Sequence, residues 1–307
     1  MTDLLTDLRA VCAQIAERAE NVRIERERTA GYVGNLPIDL PEGGPDPEAH
    51  LTEGSREELS AFWLTLGAIN FGSGWFPTLR KPGGRSGYFT IATALSQRFT
   101  DHGPWSAAAL SEIETAEVAA TFAQDPGHEL MALFALSLRD LGSHVGDYDG
   151  RFADVVDTAG SSAVALVELL RGWDCFSDTS RYDGLEVSFL KRAQVAAADL
   201  SRAGVAAFRD LDRLTMFADN LVPHVLRLDG LLTYDRGLLG RIERGELIEH
   251  GSREEVEIRA CAVHAVELIA AERAGAREAD IDSLLWHRGQ EERYKAEPRH
   301  RSRCTAY

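Results

Sequence analysis

The chain has 307 residues and a formal net charge of −16, with 44% hydrophobic and 27% charged residues. This composition excludes a disordered chain and predicts a globular protein, either one domain over 1–307 or two packed helical lobes of about 1–150 and 151–307. The excess of acidic residues opposes stable binding of nucleic acid, whose phosphates are held largely through Lys and Arg, although a local basic pocket could still hold one phosphate.

The cysteines are scattered and include no Cys-x-x-Cys pair: Cys12, Cys175, Cys261 and Cys304. This pattern argues against a zinc site and against a disulfide framework. The N-terminal residues lack the basic and apolar regions of a signal peptide, and no apolar run approaches the roughly 20 residues that span a bilayer. We therefore expect a cytoplasmic protein with no metal, no cofactor, no membrane segment and no obligate protein partner.

The first part of the chain is predicted to hold two helices separated by a long loop. Apolar residues at helical spacing predict an amphipathic helix over 4–15, followed by a charged run over 23–28. Residues 36–54 contain four prolines and a Gly-Gly pair, which predicts an irregular loop of the kind that often covers a functional site. Residues 57–69 are predicted to form a buried helix.

Two short segments after this helix each allow two interpretations. Residues 70–76 (NFGSGWF) mix glycines with aromatic residues, which is typical of a packed corner or of a stacking wall for a flat base. Residues 81–87 (KPGGRSG) form either a plain hairpin or a turn that presents backbone N–H groups and Lys81 or Arg85 to a phosphate.

From Tyr88 onward, apolar residues recur at intervals of three and four, with Gly or Pro between the runs. This spacing predicts helices over 92–99, 106–122, 129–141, 152–159 and 162–170. Asp183-Gly184 indicates a turn, after which 187–189 is a short extended piece or the start of the helix that Lys191 opens.

The last third of the chain carries two further predicted helices. Ser252 and Glu255 have the spacing of a capping box, which would open a helix over 256–274, and Arg259 within it is expected to pair with a carboxylate. Residues 280–286 are predicted to start the final helix, with Asp282 and Trp286 on one face. The basic segment that follows is expected to pack back near the functional site.

Between these regions, the stretch over 211–230 places one acid, Asp219, after an apolar run and four residues ahead of Pro223. Proline is favoured in the first turn of a helix, so we predict the helix Val222–Leu228 with the carboxylate near its N-terminus. Asp is a preferred capping residue, which makes capping the ordinary interpretation. Perturbed acids are also common at functional sites, so a catalytic role stays open.

Several segments of the chain resemble one known family. The stretch TMFAD (215–219) with Val222-Pro223 is similar to the signature of the queuosine salvage protein family, the queuosine 5′-phosphate N-glycosylases. Other segments that resemble family motifs, in the same order along the chain, are INF with Trp75, SGY (86–88), VSFLKRAQ (187–194), EVEIR (255–259), DSLLW (282–286) and PRHRSR (298–303).

The resemblance implies a mainly α, compact all-helical fold similar to that of the helix-hairpin-helix DNA glycosylases. It also implies hydrolysis of the N-glycosidic bond of queuosine 5′-phosphate, which releases queuine and ribose 5-phosphate. Such cleavage builds positive charge at the sugar carbon C1′. The implied catalytic residue is Asp219, acting as nucleophile or as stabiliser of this charge.

The resemblance also implies a set of substrate-binding residues: His50, Lys191, Phe217, Ala218, Asp282, Trp286 and His287. Phe217 and Trp286, together with Trp75, are candidates for stacking on the base. Asp282 and His287 would recognise its guanine-like edge or its cyclopentenediol, and the main chain of Ala218 would also contact the base. Lys191 would bind the phosphate or the ribose, although a Lys at a helix start is more often solvent-facing, and a loop histidine such as His50 is more often a surface residue.

Two other functions fit the same features. The chain could be a base-excision-type DNA glycosylase, which the acidic balance opposes. It could also be a non-catalytic helical module that binds queuine or a nucleotide, in which case replacing Asp219 with Asn would leave function intact.

Overall fold

The computed structural model describes residues 3–34, 36 and 44–307, so residues 37–43 of the loop predicted over 36–54 lie outside the described residues. The helices of the described residues are α1 (Leu4–Arg18), α2 (Thr29–Val33), α3 (Arg56–Ala68), α4 (Gly87–His102), α5 (Ala107–Ser111), α6 (Thr115–Thr121), α7 (Glu129–Gly146), α8 (Phe152–Thr158), α9 (Ala163–Leu170), α10 (Lys191–Arg202), α11 (Val222–Leu228), α12 (Arg236–Glu243), α13 (Arg253–Ala271), α14 (Glu278–Arg288) and α15 (Glu292–Lys295). The prediction of a mainly α protein is confirmed. None of the helices within the described ranges is long and apolar enough to cross a membrane.

The fold is not all-helical, because the described residues also form two small antiparallel sheets. Strand β2 (Thr179–Tyr182) pairs with β3 (Leu185–Ser188), and the predicted Asp183-Gly184 turn joins them with positive φ at both residues. Strand β1 (Val22–Ile24) pairs with β4 (Leu232–Tyr234). The extended alternative for 187–189 is therefore confirmed, whereas the pair β1–β4 was not predicted.

The helix predicted over 106–122 is two helices, α5 and α6, with a break between them. The backbones of α5 and α7 lie against each other at Gly142, where an added Cβ would press on the backbone of Ser111. At the break, the Arg139 guanidinium of α7 donates to the Ile113 carbonyl at 2.7 Å. One helix can end and another begin at this point because the Arg139 side chain supplies a hydrogen bond to a backbone carbonyl that the break leaves outside both helices.

The buried Arg259 of α13 ties together the segments that carry the site. Its guanidinium donates to Asp178 at 2.7 Å and to the Ala218 carbonyl at 2.9 Å, and it lies 3.5 Å from Glu255. The same Asp178 oxygen accepts the backbone N–H of Lys191 at 3.0 Å. The expected pairing of Arg259 with a carboxylate is confirmed, and it fixes the start of α10 relative to the chain before α11.

The capping box predicted at the start of α13 is only half present. The Ser252 hydroxyl accepts the backbone N–H of Glu255, but the Glu255 carboxylate accepts the N–H of Gly251 instead of that of Ser252. The Glu255 side chain is fully buried beside Arg259. It therefore points into the core and does not accept the Ser252 N–H at the start of α13.

The closing segment over 296–307 packs back across the molecule. Its backbone carbonyls accept hydrogen bonds from Gly72 (to Tyr307, 3.1 Å) and from the Asn220 side chain (to His300, 3.0 Å). At Gly74, a side-chain Cβ would collide with the Ser302 carbonyl, so the glycine permits this close approach. The segment is therefore held between the aromatic corner over 70–76 and the residues that follow Asp219.

Candidate functional site

A cavity of about 610 Å³ opens between α3, α4, α10, α14 and the closing segment. It is lined by almost all the residues that the sequence singled out: His50, Lys191, Phe217, Asp219, Asp282, Trp286 and His287. Residues distant in sequence therefore meet at one place, as the hypothesis of a single substrate site requires.

Asp219 lies in the cavity wall directly before α11 and is only 9% exposed. One carboxylate oxygen, Oδ1, accepts the backbone N–H groups of Leu221 at 2.8 Å and Val222 at 3.0 Å. The structure gives the other oxygen, Oδ2, no hydrogen-bond partner among the described residues. Capping and catalysis are therefore compatible, because one oxygen orients the carboxylate and the other is left for a ligand.

Lys191 lines the same cavity as Asp219, and the charges of the two side chains interact. Its Nζ donates to both the backbone and the side-chain oxygen of Asn70, each at 3.0 Å. Burial lowers the pKa of Lys191 to about 8, and the negative charge of Asp219 opposes that shift. The side chain is buried, so the interpretation of Lys191 as a solvent-facing lysine is wrong.

Asp282 of α14 is a second buried carboxyl group in the cavity wall. Its Oδ1 accepts the backbone N–H of Phe217 at 3.0 Å. Burial, and next the negative charge of Asp219, raise the pKa of Asp282 well above its usual range. Two neighbouring acids with different environments can divide roles, because one carries the charge while the other keeps its proton and can donate it in a hydrogen bond.

This difference predicts a pH dependence of stability. A carboxyl group whose pKa is higher in the folded state binds more protons there, so the free energy of unfolding falls as pH rises above about 4. Asp282→Asn keeps an acceptor for Phe217 but removes this titration. Between pH 5 and pH 8, urea unfolding should show a smaller loss of stability in the variant than in the wild type. Parallel curves for the two proteins would show that Asp282 does not hold its proton.

Aromatic side chains form another part of the cavity wall. Trp286 packs edge-on against Tyr88, with ring centroids 5.6 Å apart, and Phe217 faces the same cavity. The His50 ring accepts the Asp46 backbone N–H on Nδ1 at 3.1 Å, so Nε2 carries the proton and donates to the Tyr88 hydroxyl at 2.9 Å. Burial lowers the pKa of His50, which favours this neutral form.

The sequence matches known proteins along most of its length. A family described as "Queuosine salvage protein" matches residues 50–307. The chain belongs to the queuosine salvage protein family. A relative from Sphaerobacter thermophilus, named queuosine 5′-phosphate N-glycosylase/hydrolase, is 38% identical over 274 residues, which are 85% of this chain and 84% of the relative. Relatives of the same name from Bos taurus (35% over 179 residues) and Mus musculus (34% over 178 residues) cover 52% of this chain and 52% and 53% of their own lengths.

Two residues that the family resemblance suggested lie away from the cavity. The Trp75 indole donates to Glu129 at 2.7 Å and does not line the cavity, so it cannot stack on a ligand there. Ala218 is fully buried behind the wall, and its carbonyl is already bonded to Arg259. Trp63 and Tyr88 supply ring surface in the cavity instead.

His287 lies at the exposed rim of the cavity, one helical turn beyond Ser283. Its Nδ1–H donates to the Ser283 carbonyl at 2.7 Å, which leaves Nε2 available to a ligand. Lys81 and Arg85 also line the cavity, but the turn that carries them is a one-turn 3-10 helix, Pro82–Gly84, and not the plain hairpin that was the ordinary interpretation.

Sequence reasoning missed the role of Asn70, which lines the cavity and fixes the Lys191 ammonium through two oxygens. No local signal marks this role, because the two residues are 121 positions apart. The predicted return of the basic segment is confirmed, since Arg299 and Arg301 line the cavity.

Proposed function

We propose that this chain hydrolyses the N-glycosidic bond of queuosine 5′-phosphate, releasing queuine and ribose 5-phosphate. Membership of the family and the names of the relatives support this reaction. The single observation that carries the proposal is the Asp219 carboxylate, which is buried in the cavity wall with one oxygen bonded to two backbone N–H groups. The same relatives favour this reaction over a DNA glycosylase or a non-catalytic module.

The Asp219 carboxylate stabilises the positive charge that develops on the sugar when the bond to the base breaks. The transition state carries positive charge at C1′ and at the ring oxygen, which a fixed carboxylate stabilises or captures as a covalent ester. Because the N–H groups of Leu221 and Val222 hold the carboxylate in place, little reorganisation is needed during the reaction. By analogy with one oxyanion-hole donor, such a preorganised charge contributes about 3–4 kcal/mol.

The leaving base needs help from other donors. Queuine is a 7-deazaguanine and has no N7 to protonate, so hydrogen bonds at its other edges must assist departure. A protonated Asp282 supplies a donor and an acceptor at one group, and the Nε2 atom of His287 is placed to accept from the guanine-like edge or the cyclopentenediol. His50 lines the same cavity, but both of its ring nitrogens are bonded to Asp46 and Tyr88, so it contacts the substrate through its ring carbons. Phe217 and Trp286 hold the flat ring in line.

Lys191 lies with Asp219 and Asp282 in the cavity and contacts the ribose in this proposal. Since its pKa is about 8, the ammonium loses its proton in mildly alkaline solution. We expect kcat/KM to fall as pH rises above about 8, and Lys191→Met to lack this alkaline limb and to be about 10–100-fold slower at pH 7. Steady-state assays from pH 6 to 10 measure this, and an unchanged limb in the variant would assign it to another group.

The test of the reaction is direct. The protein is incubated with queuosine 5′-phosphate, and the products are separated by chromatography. Free queuine and ribose 5-phosphate should appear in equal amounts and in proportion to the enzyme added. Intact nucleotide after prolonged incubation, with the protein folded, would reject the proposed reaction.

We also infer that the chain acts as one unit over 1–307, because the cavity takes residues from both proposed lobes, such as His50 and Asp219. The family resemblance further implies a fold similar to that of the helix-hairpin-helix DNA glycosylases. From the charge and the scattered cysteines of the sequence, we further infer a cytoplasmic enzyme that acts on a small nucleotide without a nucleic-acid or obligate protein partner. Gel filtration and a duplex-binding titration test the last two inferences.

A further inference from the structure

The cationic side chains around the cavity fall into two groups. Some have partners within the protein: Arg85 pairs with Glu48, Arg202 pairs with Asp199, and Lys191 donates to Asn70. Lys295 also lines the cavity, but it is exposed to solvent. By contrast with the paired cations, Lys81, Arg299 and Arg301 are partly buried and line the cavity with no carboxylate or other side-chain acceptor among the described residues. Their charges are therefore available to a ligand.

Arg299 is the most informative of the three. Its Nε is buried and has no hydrogen-bond partner among the described residues. A buried, unsatisfied guanidinium nitrogen is costly unless a ligand or solvent supplies the acceptor. Because the backbone of the segment is fixed by the bond from Asn220 to the neighbouring His300 carbonyl, the side chain is held at the cavity wall.

The three cations are close enough to act on one another. Burial lowers the pKa of Lys81, and the charges of Arg301 and Arg299 lower it further. Burial also lowers the pKa of Arg299, which the Asp219 carboxylate opposes and the Arg301 charge assists. Arg299 therefore lies within electrostatic reach of both the carboxylate and the other two cations, in a protein whose net charge is −16.

We propose that Lys81, Arg299 and Arg301 form the subsite that binds the 5′-phosphate of the nucleotide substrate. This inference rests on the proposed function and assigns the phosphate to residues other than Lys191. A phosphate dianion offers several strong acceptor oxygens and suits converging guanidinium groups. Arg299 interacts electrostatically with Asp219 and with the other two cations, so a ribose with C1′ at Asp219 can present its 5′-phosphate to this group.

The test compares queuosine 5′-phosphate with the nucleoside queuosine. For Arg299→Met and for Lys81→Met, the ratio of kcat/KM for the nucleotide to kcat/KM for the nucleoside should fall about 10–100-fold, as expected for loss of a charged hydrogen bond. Lys81 lies at the start of an exposed turn, so Lys81→Met should fold normally. If Arg299→Met folds poorly, Lys81→Met still tests the proposal. Arg303→Met is the matched control, because Arg303 lies on the same segment, pairs with Glu129 and does not line the cavity.

Calorimetric titration with ribose 5-phosphate separates this proposal from the proposed reaction. The wild type could release no queuine but bind ribose 5-phosphate, while the two variants bind it at least tenfold more weakly. That result would support the phosphate subsite and reject the proposed hydrolysis. If the wild type releases queuine but the variants lose nucleotide and nucleoside turnover equally, or bind ribose 5-phosphate as well as the wild type, the subsite is wrong.

Discussion

Asp219→Asn is expected to lower kcat for release of queuine from queuosine 5′-phosphate on the order of 10³-fold while the protein stays folded. Asn retains an oxygen that accepts the N–H groups of Leu221 and Val222, so the start of α11 keeps its cap. What the substitution removes is the negative charge that faces C1′ in the transition state. Single-turnover chromatographic assays at saturating enzyme measure the chemical step apart from substrate binding.

The chain offers a matched control for this substitution. Asp235 caps α12 in the same way, with Oδ1 accepting the N–H groups of Gly237 and Leu238, but it does not line the cavity. Asp235→Asn should therefore retain the wild-type rate. If Asp219→Asn lost no more activity than Asp235→Asn, capping would be the whole role of Asp219 and the catalytic assignment would be wrong.

Arg259→Met is expected to lower the free energy of unfolding by about 3–5 kcal/mol. The guanidinium is fully buried, and removing it leaves the Asp178 carboxylate without a cation and the Glu255 carboxylate with His250 as its remaining side-chain partner. It also lies over the rings of Phe189 and Tyr307, with its central carbon 4.0 and 4.7 Å from the ring centroids. Urea unfolding followed by circular dichroism measures the loss.

An exposed ion pair serves as the control for Arg259. Arg151 and Asp154 are 3.1 Å apart on the surface of α8, and both side chains are more than 40% exposed. Arg151→Met should change stability by less than about 1 kcal/mol, because exposed pairs contribute little. A similarly small loss for Arg259→Met would mean that the buried cluster does not hold the segments of the site together.

The parts of the site that depend on local chemistry could be predicted from the sequence. Pro223 in the first turn of α11 placed Asp219 at a helix N-terminus, and the Asp183-Gly184 turn predicted the bend between β2 and β3. In the same way, Asp282 and Trp286 share a helix face because their four-residue separation requires it. These features depend on neighbours within one turn of the chain.

The features that were missed depend on residues far apart in sequence. Strands β1 and β4 are three residues each and pair across about two hundred positions, so neither carries a pattern of its own. Composition also could not decide that Trp75 turns toward Glu129 while Tyr88 enters the cavity. The break between α5 and α6 likewise depends on Arg139 of another helix.

A crystal structure of Asp219→Asn with intact queuosine 5′-phosphate tests the central claim most directly. We predict that the side chain of residue 219 faces C1′ at about 3–4 Å, with the deazapurine ring against Phe217 and Trp286. A complex in which the ribose lies elsewhere, and both side-chain atoms of residue 219 bind only backbone groups, would contradict the account.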